Sequence, residues 1–362
     1  MDMTLDLYVD YLICSTSYTT ATGLSRVTDN AVSHDKVTRF LSDHTFTASD
    51  LWKQAKPLYK SIQSDDGVIV IDDSIEEKPY TDENELIAWH HDHVKNRATK
   101  GINFVTTFYD APDGRLPVGY ELVKKTVNYV DKKTGKSRRK SAVSKQQMYR
   151  ELLEKAVQNG INFRYVLNDS WFSANDNMRF VKKVLQKDFI MPTKSNRLVA
   201  LSKDEQTAGN FVRIDSLELG EGALVWLQGL ELPLRFVRQV FKDEDGVTGT
   251  LYLVSSDLGL TNDQIGAIYK RRWGVEVYHK SLKSNLSLAK SPTKKPTTQA
   301  NHLFATLCAY LRLQGISLKT KINQFALKQK IYLAALKHAM QELQKFAPEP
   351  FSQTERSVRR SA

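Results

Sequence analysis

The sequence predicts a mixed α/β protein with helices at both ends, and three observations predict it. GVIVIDDS, beginning at Gly67, is a continuous apolar run of the kind expected for a strand buried on both faces, and it closes on carboxylates. NFRYVLND, later in the chain, again places an acid at the end of a strand pattern. Between about Arg197 and Asp257 one β-type segment follows another, while the flanking regions show helical spacing.

Residues 1–64 are expected to form a small helical domain. Ser33 can cap the segment VTRFLSD, and ASDLWKQAKPLYKSI continues with helical spacing. GLSRVTDNAVSHDKVTRFL has the length of two helices and a tight turn, which suits a helix-turn-helix reader of duplex DNA; ordinary helical packing would use the same pattern. Residues 65–196 form the first part of a core. After GVIVIDDS come the strands INFVTTFYD and LPVGYELVKKTV, the helix YRELLEKAVQNG closed by Gly160, and NFRYVLND. FVRIDSLEL, ALVWLQGL, LPLRFVRQVF and GTLYLVSS make residues 197–257 a β-rich insertion. Helical spacing returns in 258–315, resumes after SPTKKP in NHLFATLCAYLRLQ, and leads into a helical segment and polar tail over 316–362.

The chain has 362 residues, 41% of them hydrophobic, enough for at least one large core. Lys and Arg number 52 against 41 Asp and Glu, a net charge of +11 that favours a polyanionic partner such as nucleic acid. With only Cys14 and Cys308 there is no disulfide framework and no cysteine-rich zinc site. The start, MDMTLDLYVDYL, is acidic where a secretion signal would be basic, and the apolar run Leu303–Leu313 is too short to span a bilayer. These features predict a soluble cytoplasmic protein with no membrane partner.

The most informative stretch is YKRRWGVEVYHKSLK, Tyr269 to Lys283. On one continuous helix at about 100° per residue, Tyr269, Arg272, Glu276 and Lys283 fall within roughly 60° of one another. Ile268, Val275, Leu282 and Leu286 form an adjacent apolar sector. A lone carboxylate among cations gains a purpose if it converges with Asp72 and Asp169, the acids at the two strand ends. A few carboxylates can hold Mg²⁺ ions that activate water and stabilise a leaving oxygen in phosphodiester cleavage. The surrounding cations would then grip phosphates.

The trio Asp72, Asp169 and Glu276 resembles that of the DDE transposases of bacterial insertion sequences. Tyr269, Arg272, Glu276 and Lys283 fit the Y-x2-R-x3-E-x6-K signature of one cut-and-paste branch, and Trp273 is also similar to that branch. The resemblance covers about residues 1–315. It implies a ribonuclease H-like catalytic core interrupted by a β-rich insertion between the second Asp and the Glu, preceded by a small helical DNA-binding domain. It further implies two Mg²⁺ ions on the three acids, with Mn²⁺ as a substitute, and a nucleoid-associated action on double-stranded DNA, both transposon ends and target. Arg272 and Lys283 would position phosphates, Tyr269 would orient a neighbouring group or contact the backbone, and Trp273 and Lys280 would join the DNA surface. Because two ends must be cut and joined, a homodimer is expected in the DNA complex. A nuclease that cuts without joining and a catalytically silent DNA-binding protein are the alternatives.

Other residues compete for attention. Asp73 adjoins Asp72 and should point to the opposite side of the strand; the family pattern favours Asp72. Asp176 lies near Asp169. Glu76, Glu77 and Lys78 are expected in the loop after the first strand. WHHDH, Trp89 to His93, resembles a metal site in composition, but neighbouring side chains splay apart and no second pair completes it. Lys124 to Lys145 carries nine cations against one acid and includes Arg138 and Arg139, a phosphate-tracking arm in prospect; KSPTKKP is a second. Trp226 in the insertion could stack on an unpaired base or pack into the core.

Overall fold

The computed structural model describes residues 1–92, 95–242, 246 and 248–346. Four helices open it: α1 (Leu5–Cys14), α2 (Ala21–Val27), α3 (His34–Asp43) and α4 (Ala48–Ile62). The cap expected at Ser33 forms, its hydroxyl accepting from the Lys36 N–H at 3.4 Å. A capping box between Thr47 and Asp50 starts α4.

The strands β1 (Val68–Glu77), β2 (Ile87–Asp92), β3 (Arg97–Ala111) and β4 (Gly114–Leu122) follow. Glu76 and Glu77 therefore belong to β1 itself, not to the loop after it, because the long partner β3 pairs as far as Glu77↔Gly101. Trp89 to Asp92 lie in β2, where Trp89 is exposed and His90 buried; His93 lies outside the described residues. Burial, with Lys125 and Lys145 nearby, pushes the His90 imidazole down to about 3, so it is neutral. The basic run becomes a two-stranded ribbon, β5 (Val127–Val130) and β6 (Ser137–Lys140), before helix α5 (Lys145–Gln158). Gly160, at φ +71°, ends that helix in the left-handed conformation glycine adopts without steric penalty.

Next come β7 (Tyr165–Asn168), α6 (Asn175–Arg179), β8 (Asp188–Thr193), β9 (Leu198–Ala200), α7 (Lys203–Ala208) and β10 (Val212–Arg213). They are followed by β11 (Leu224–Leu227), β12 (Pro233–Lys242) and β13 (Thr248–Ser255). One 11-stranded sheet runs β10-β9-β11-β12-β13-β8-β7-β1-β3-β2, with β4 on the same edge of β3 as β2. The β-rich stretch thus extends the core sheet, since β13 pairs antiparallel with β8. Among the described residues, only β1–β7 and β7–β8 pair in parallel.

The chain ends in α8 (Asn262–Lys270), α9 (Trp273–Asn285), α10 (Pro296–Thr320) and α11 (Gln324–Phe346). Helix α10 packs against α1, α3, α4 and β4, so the N-terminal helices share one hydrophobic core with the sheet. Among the described residues no helix is long and apolar enough to cross a membrane.

Candidate active site

Strand pairing assembles the first two acids. β1 and β7 run parallel with Ile71 opposite Asn168, so the next residues, Asp72 and Asp169, lie side by side on one face. Helix α9 covers that face: Tyr278 stacks on Phe108 at 4.9 Å and His279 meets Phe104 edge-on at 5.8 Å, and both phenylalanines lie on the β3 face that Asp72 shares. Asp73 points the other way. Its carboxylate accepts from Lys145 Nζ at 3.0 Å and Asn103 Nδ2 at 2.8 Å, beneath α5.

Burial, reinforced by the Asp169 and Asp73 carboxylates, holds the Asp72 carboxyl well above the usual carboxylate range. Burial also raises Asp169; the Phe172 and Trp171 N–H groups and Arg272 oppose the rise, and Asp73 adds to it. Those two N–H groups donate to Asp169 Oδ1 at 3.3 and 3.1 Å, fixing the carboxylate at the start of its loop. Asp176 lies apart, exposed in the first turn of α6 and paired with Arg179 at 2.9 Å.

The signature does not occupy one continuous helix. It crosses a break between α8 and α9, where Arg271, Arg272, Gly274 and Val275 each donate to the carbonyl three residues back. This tighter winding rotates successive residues by more than an α-helix does, so the common face read from uniform spacing is approximate. Tyr269 Oη donates to the Asn168 carbonyl at 3.2 Å, tying α8 to the residue before Asp169. Arg272 donates to Glu276 Oε1 at 2.6 Å and lies over the Tyr269 ring at 5.8 Å. Burial opposes its charge, but Tyr269, Glu276 and Asp72 together hold its pKa above the ordinary value. Lys283 Nζ donates to the Ile75 carbonyl at 3.0 Å, farther along the strand that carries Asp72.

Glu276 therefore reaches the acid pair through Arg272. Among the described residues no three His, Cys, Asp or Glu side chains stand close enough to enclose a metal ion. Asp72 and Asp169 nevertheless suit a hard divalent cation: they are adjacent oxygen donors whose mutual repulsion such an ion would relieve. Arg272 takes up Oε1 of Glu276, so completing the set would fall to its Oε2 or to a rearranged pair.

The remaining candidates are dispersed. Trp273 is 61% exposed, and Lys280 is exposed with its ammonium 6.0 Å from the Phe325 ring centre. On the ribbon Arg138 pairs with Asp131 at 3.2 Å and Arg139 with Glu83 at 3.0 Å. Trp226 is half-buried on β11. Two contributors had no signal of their own in the sequence: Lys145, one cation of a basic run, and Asp110, one acid at the end of a long strand. Lys145 reaches from Asp73 to within 5.5 Å of the Trp171 ring, bridging β1 and the loop after Asp169. Beside that loop, a cavity of about 440 Å³ is lined by Trp171, Asn175, Lys194, Arg197 and Gln228 among others.

Comparison with known proteins adds two overlapping family matches. The family described as DDE superfamily endonuclease matches residues 2–208, and the family described as transposase DDE domain matches residues 124–312. No curated protein sequence matches the chain. Among solved structures, the chain is similar to one titled Drosophila P element transposase strand transfer complex, with 11% identity and a TM-score of 0.27 over 50% of this chain and 36% of that one. That likeness is too low to bear on the site.

Proposed function

We propose, from the premise that this chain belongs to the DDE superfamily of endonucleases and transposases, that it binds the ends of a mobile element, cleaves them and joins the freed 3′ ends to target DNA. The observation that carries this reading is Asp72 beside Asp169 on parallel strands, beneath a helix that bears Glu276 and Lys283 and begins just after Arg272. A central strand carrying one acid at its middle, since β1 continues past Asp72 to Glu77 where the sequence suggested a strand end, with a parallel neighbour β7 that ends just before the next acid, also supports a ribonuclease H-like core.

Asp72, Asp169 and Glu276 would hold divalent cations, two Mg²⁺ or substituting Mn²⁺, which would activate a water or 3′-hydroxyl and stabilise the leaving oxygen. The chain's other groups bind and orient. Arg272, half-buried beside both aspartates, offers a planar set of donors to a phosphate, and Lys283 supplies a point charge at the neighbouring edge of β1. Tyr269 fixes the height of the signature helix over β7 through the Asn168 carbonyl. Lys145 and Asn103 engage Asp73 on the far face, leaving Asp72 on the α9 side, where Glu76, buried four residues on, is the acid nearer Lys283. The ribbon with Arg138 and Arg139, together with Trp273 and Lys280, would follow the DNA backbone. The helical N-terminus would recognise the element's ends, and two copies would act on paired ends.

An end-cleavage time course in Mg²⁺, run beside a gel-shift titration, tests the assignment. Glu276→Gln, Asp72→Asn and Asp169→Asn should each abolish cleavage and joining while duplex binding persists. Near-normal cleavage by Glu276→Gln would make the glutamate only the ion-pair partner of Arg272, a role worth about 0.2–0.5 kcal/mol. That pair, at 2.6 Å, is the one observation favouring a catalytically silent DNA-binding protein. Wild-type cleavage without joining would instead identify a nuclease.

A further inference from the structure

We propose that Arg271 and Asp110 form a clamp that sets the break between α8 and α9, making Arg271 a positioning residue for Tyr269, Arg272 and Glu276 and not a DNA contact. The proposal rests on the reading above for its catalytic consequence, and on geometry alone for the clamp. Arg271 stands in the break, between two signature residues. Its Nε donates to Asp110 Oδ1 at 2.7 Å, its Nη1 to the Asp66 carbonyl at 2.7 Å, and its Nη2 to the Asp110 carbonyl. One guanidinium thereby ties the break both to the end of β3 and to the turn that precedes β1.

Asp110 is 4% exposed, on the long strand directly beside β1, opposite Val68. Its second oxygen, Oδ2, lies 3.4 Å from Arg115 Nε, near enough for attraction but without hydrogen-bond geometry. The first turn of α9 rests on this group. A Cβ at Gly274 would stand 2.9 Å from Arg115 Nη1 and 3.3 Å from Asp110 Oδ2, so glycine lets the helix start against the clamp. The neighbouring Arg272 goes instead to Glu276, and Tyr269 to the carbonyl before Asp169. Adjacent arginines thus divide the work: Arg271 anchors the backbone to the sheet, and Arg272 is delivered to the acids.

A planar guanidinium can serve three acceptors at fixed angles, which a lysine ammonium cannot reproduce, yet lysine keeps Asp110 neutralised. Arg271→Lys therefore loosens the clamp without leaving a buried charge unpaired. Amide hydrogen exchange is the direct readout: residues 271–276 should exchange at least about tenfold faster, while the later turns of α9, held by Tyr278 and Leu282, stay unchanged. End cleavage should fall by about a hundredfold, the scale of a small misplacement of reacting groups. Duplex affinity and its salt dependence should stay within about twofold of wild type. Added guanidinium ion should restore part of the cleavage lost in Arg271→Ala. Unchanged exchange, or faster exchange along all of α9, would overturn the clamp. A salt slope lower by about one unit would make Arg271 a phosphate contact instead. Absence of cleavage by the wild type would refute the proposed function, and the exchange pattern would still decide whether the clamp exists.

Discussion

At the scale of single residues, the strongest signal is a carboxylate held where it resists ionisation. Asp72 is raised well above the usual carboxylate range, by burial first and by Asp169 and Asp73 next, whereas in the unfolded chain it titrates normally. Between those two values the native state keeps a proton that the unfolded chain has released, so stability falls as pH rises through the window, and the full penalty remains above it. Asp72→Asn should consequently be more stable than wild type at pH 7, by on the order of 1 kcal/mol for each unit of displacement. The gain should vanish once the pH drops below the ordinary carboxylate range. Denaturant midpoints of both proteins at neutral and acid pH check this, and a gain that persists at acid pH would assign it to packing. Saturating Mg²⁺ should narrow the neutral-pH difference, because an ion held by the paired aspartates stabilises only the wild type.

At the scale of elements, what the sequence made legible was local. The Gly67 run became β1 because a strand covered on both faces needs apolar residues throughout, and Ser33 and Gly160 marked helix ends through backbone chemistry confined to a few residues. What stayed hidden depends on distant partners. WHHD carries no strand signal of its own but forms β2, because β3 continues past β1 and offers a free edge to pair with. The break at Arg271 and Arg272 has no proline or glycine inside it, and its anchor, Asp110, is far away in the chain. The β-rich stretch was visible as strands, but its merger with the core sheet rests on the pairing of β13 with β8. Likewise the basic run showed its charge but not its shape. In the ribbon the register places Val127, Tyr129, Arg138 and Lys140 on one side, and Arg139 is tethered to Glu83 from the other. Two-stranded ribbons fit the major groove of duplex DNA. Arg138→Ala and Lys283→Ala should each weaken binding to any duplex and lower the log-log salt slope by about one unit, while Arg139→Ala should do less. A slope unchanged from wild type in both Arg138→Ala and Arg139→Ala would leave the ribbon as solvated surface.

At the scale of the whole molecule, α11 leaves an apolar stripe uncovered. Its first half is anchored: Leu327 is buried, and Tyr332 Oη donates to the Ile13 carbonyl at 2.8 Å. From Leu333 onward it projects, and Leu333, Leu336, Met340 and Leu343 are all more than half exposed. Their spacing of three, four and three residues is the stripe that one helix presents to another in a coiled coil. On the proposed reading, in which two ends are cut and joined together, a second copy of the chain would cover it. Full burial is worth roughly 1.5–3 kcal/mol for each such side chain, against about 4–15 kcal/mol of freedom lost on association. With the stripes of both copies covered the two terms are of similar size, so the stripe alone supports a marginal free dimer that binding to paired ends would strengthen. Mass photometry should show monomers in dilute solution and two copies on paired ends. Leu336→Glu combined with Leu343→Glu should remove the second copy from the DNA complex and leave the thermal midpoint of the free protein unchanged, since neither side chain is buried within its own chain. A paired complex that survives the double substitution would place the contact between copies elsewhere, and a lowered midpoint would show that the stripe packs against its own chain.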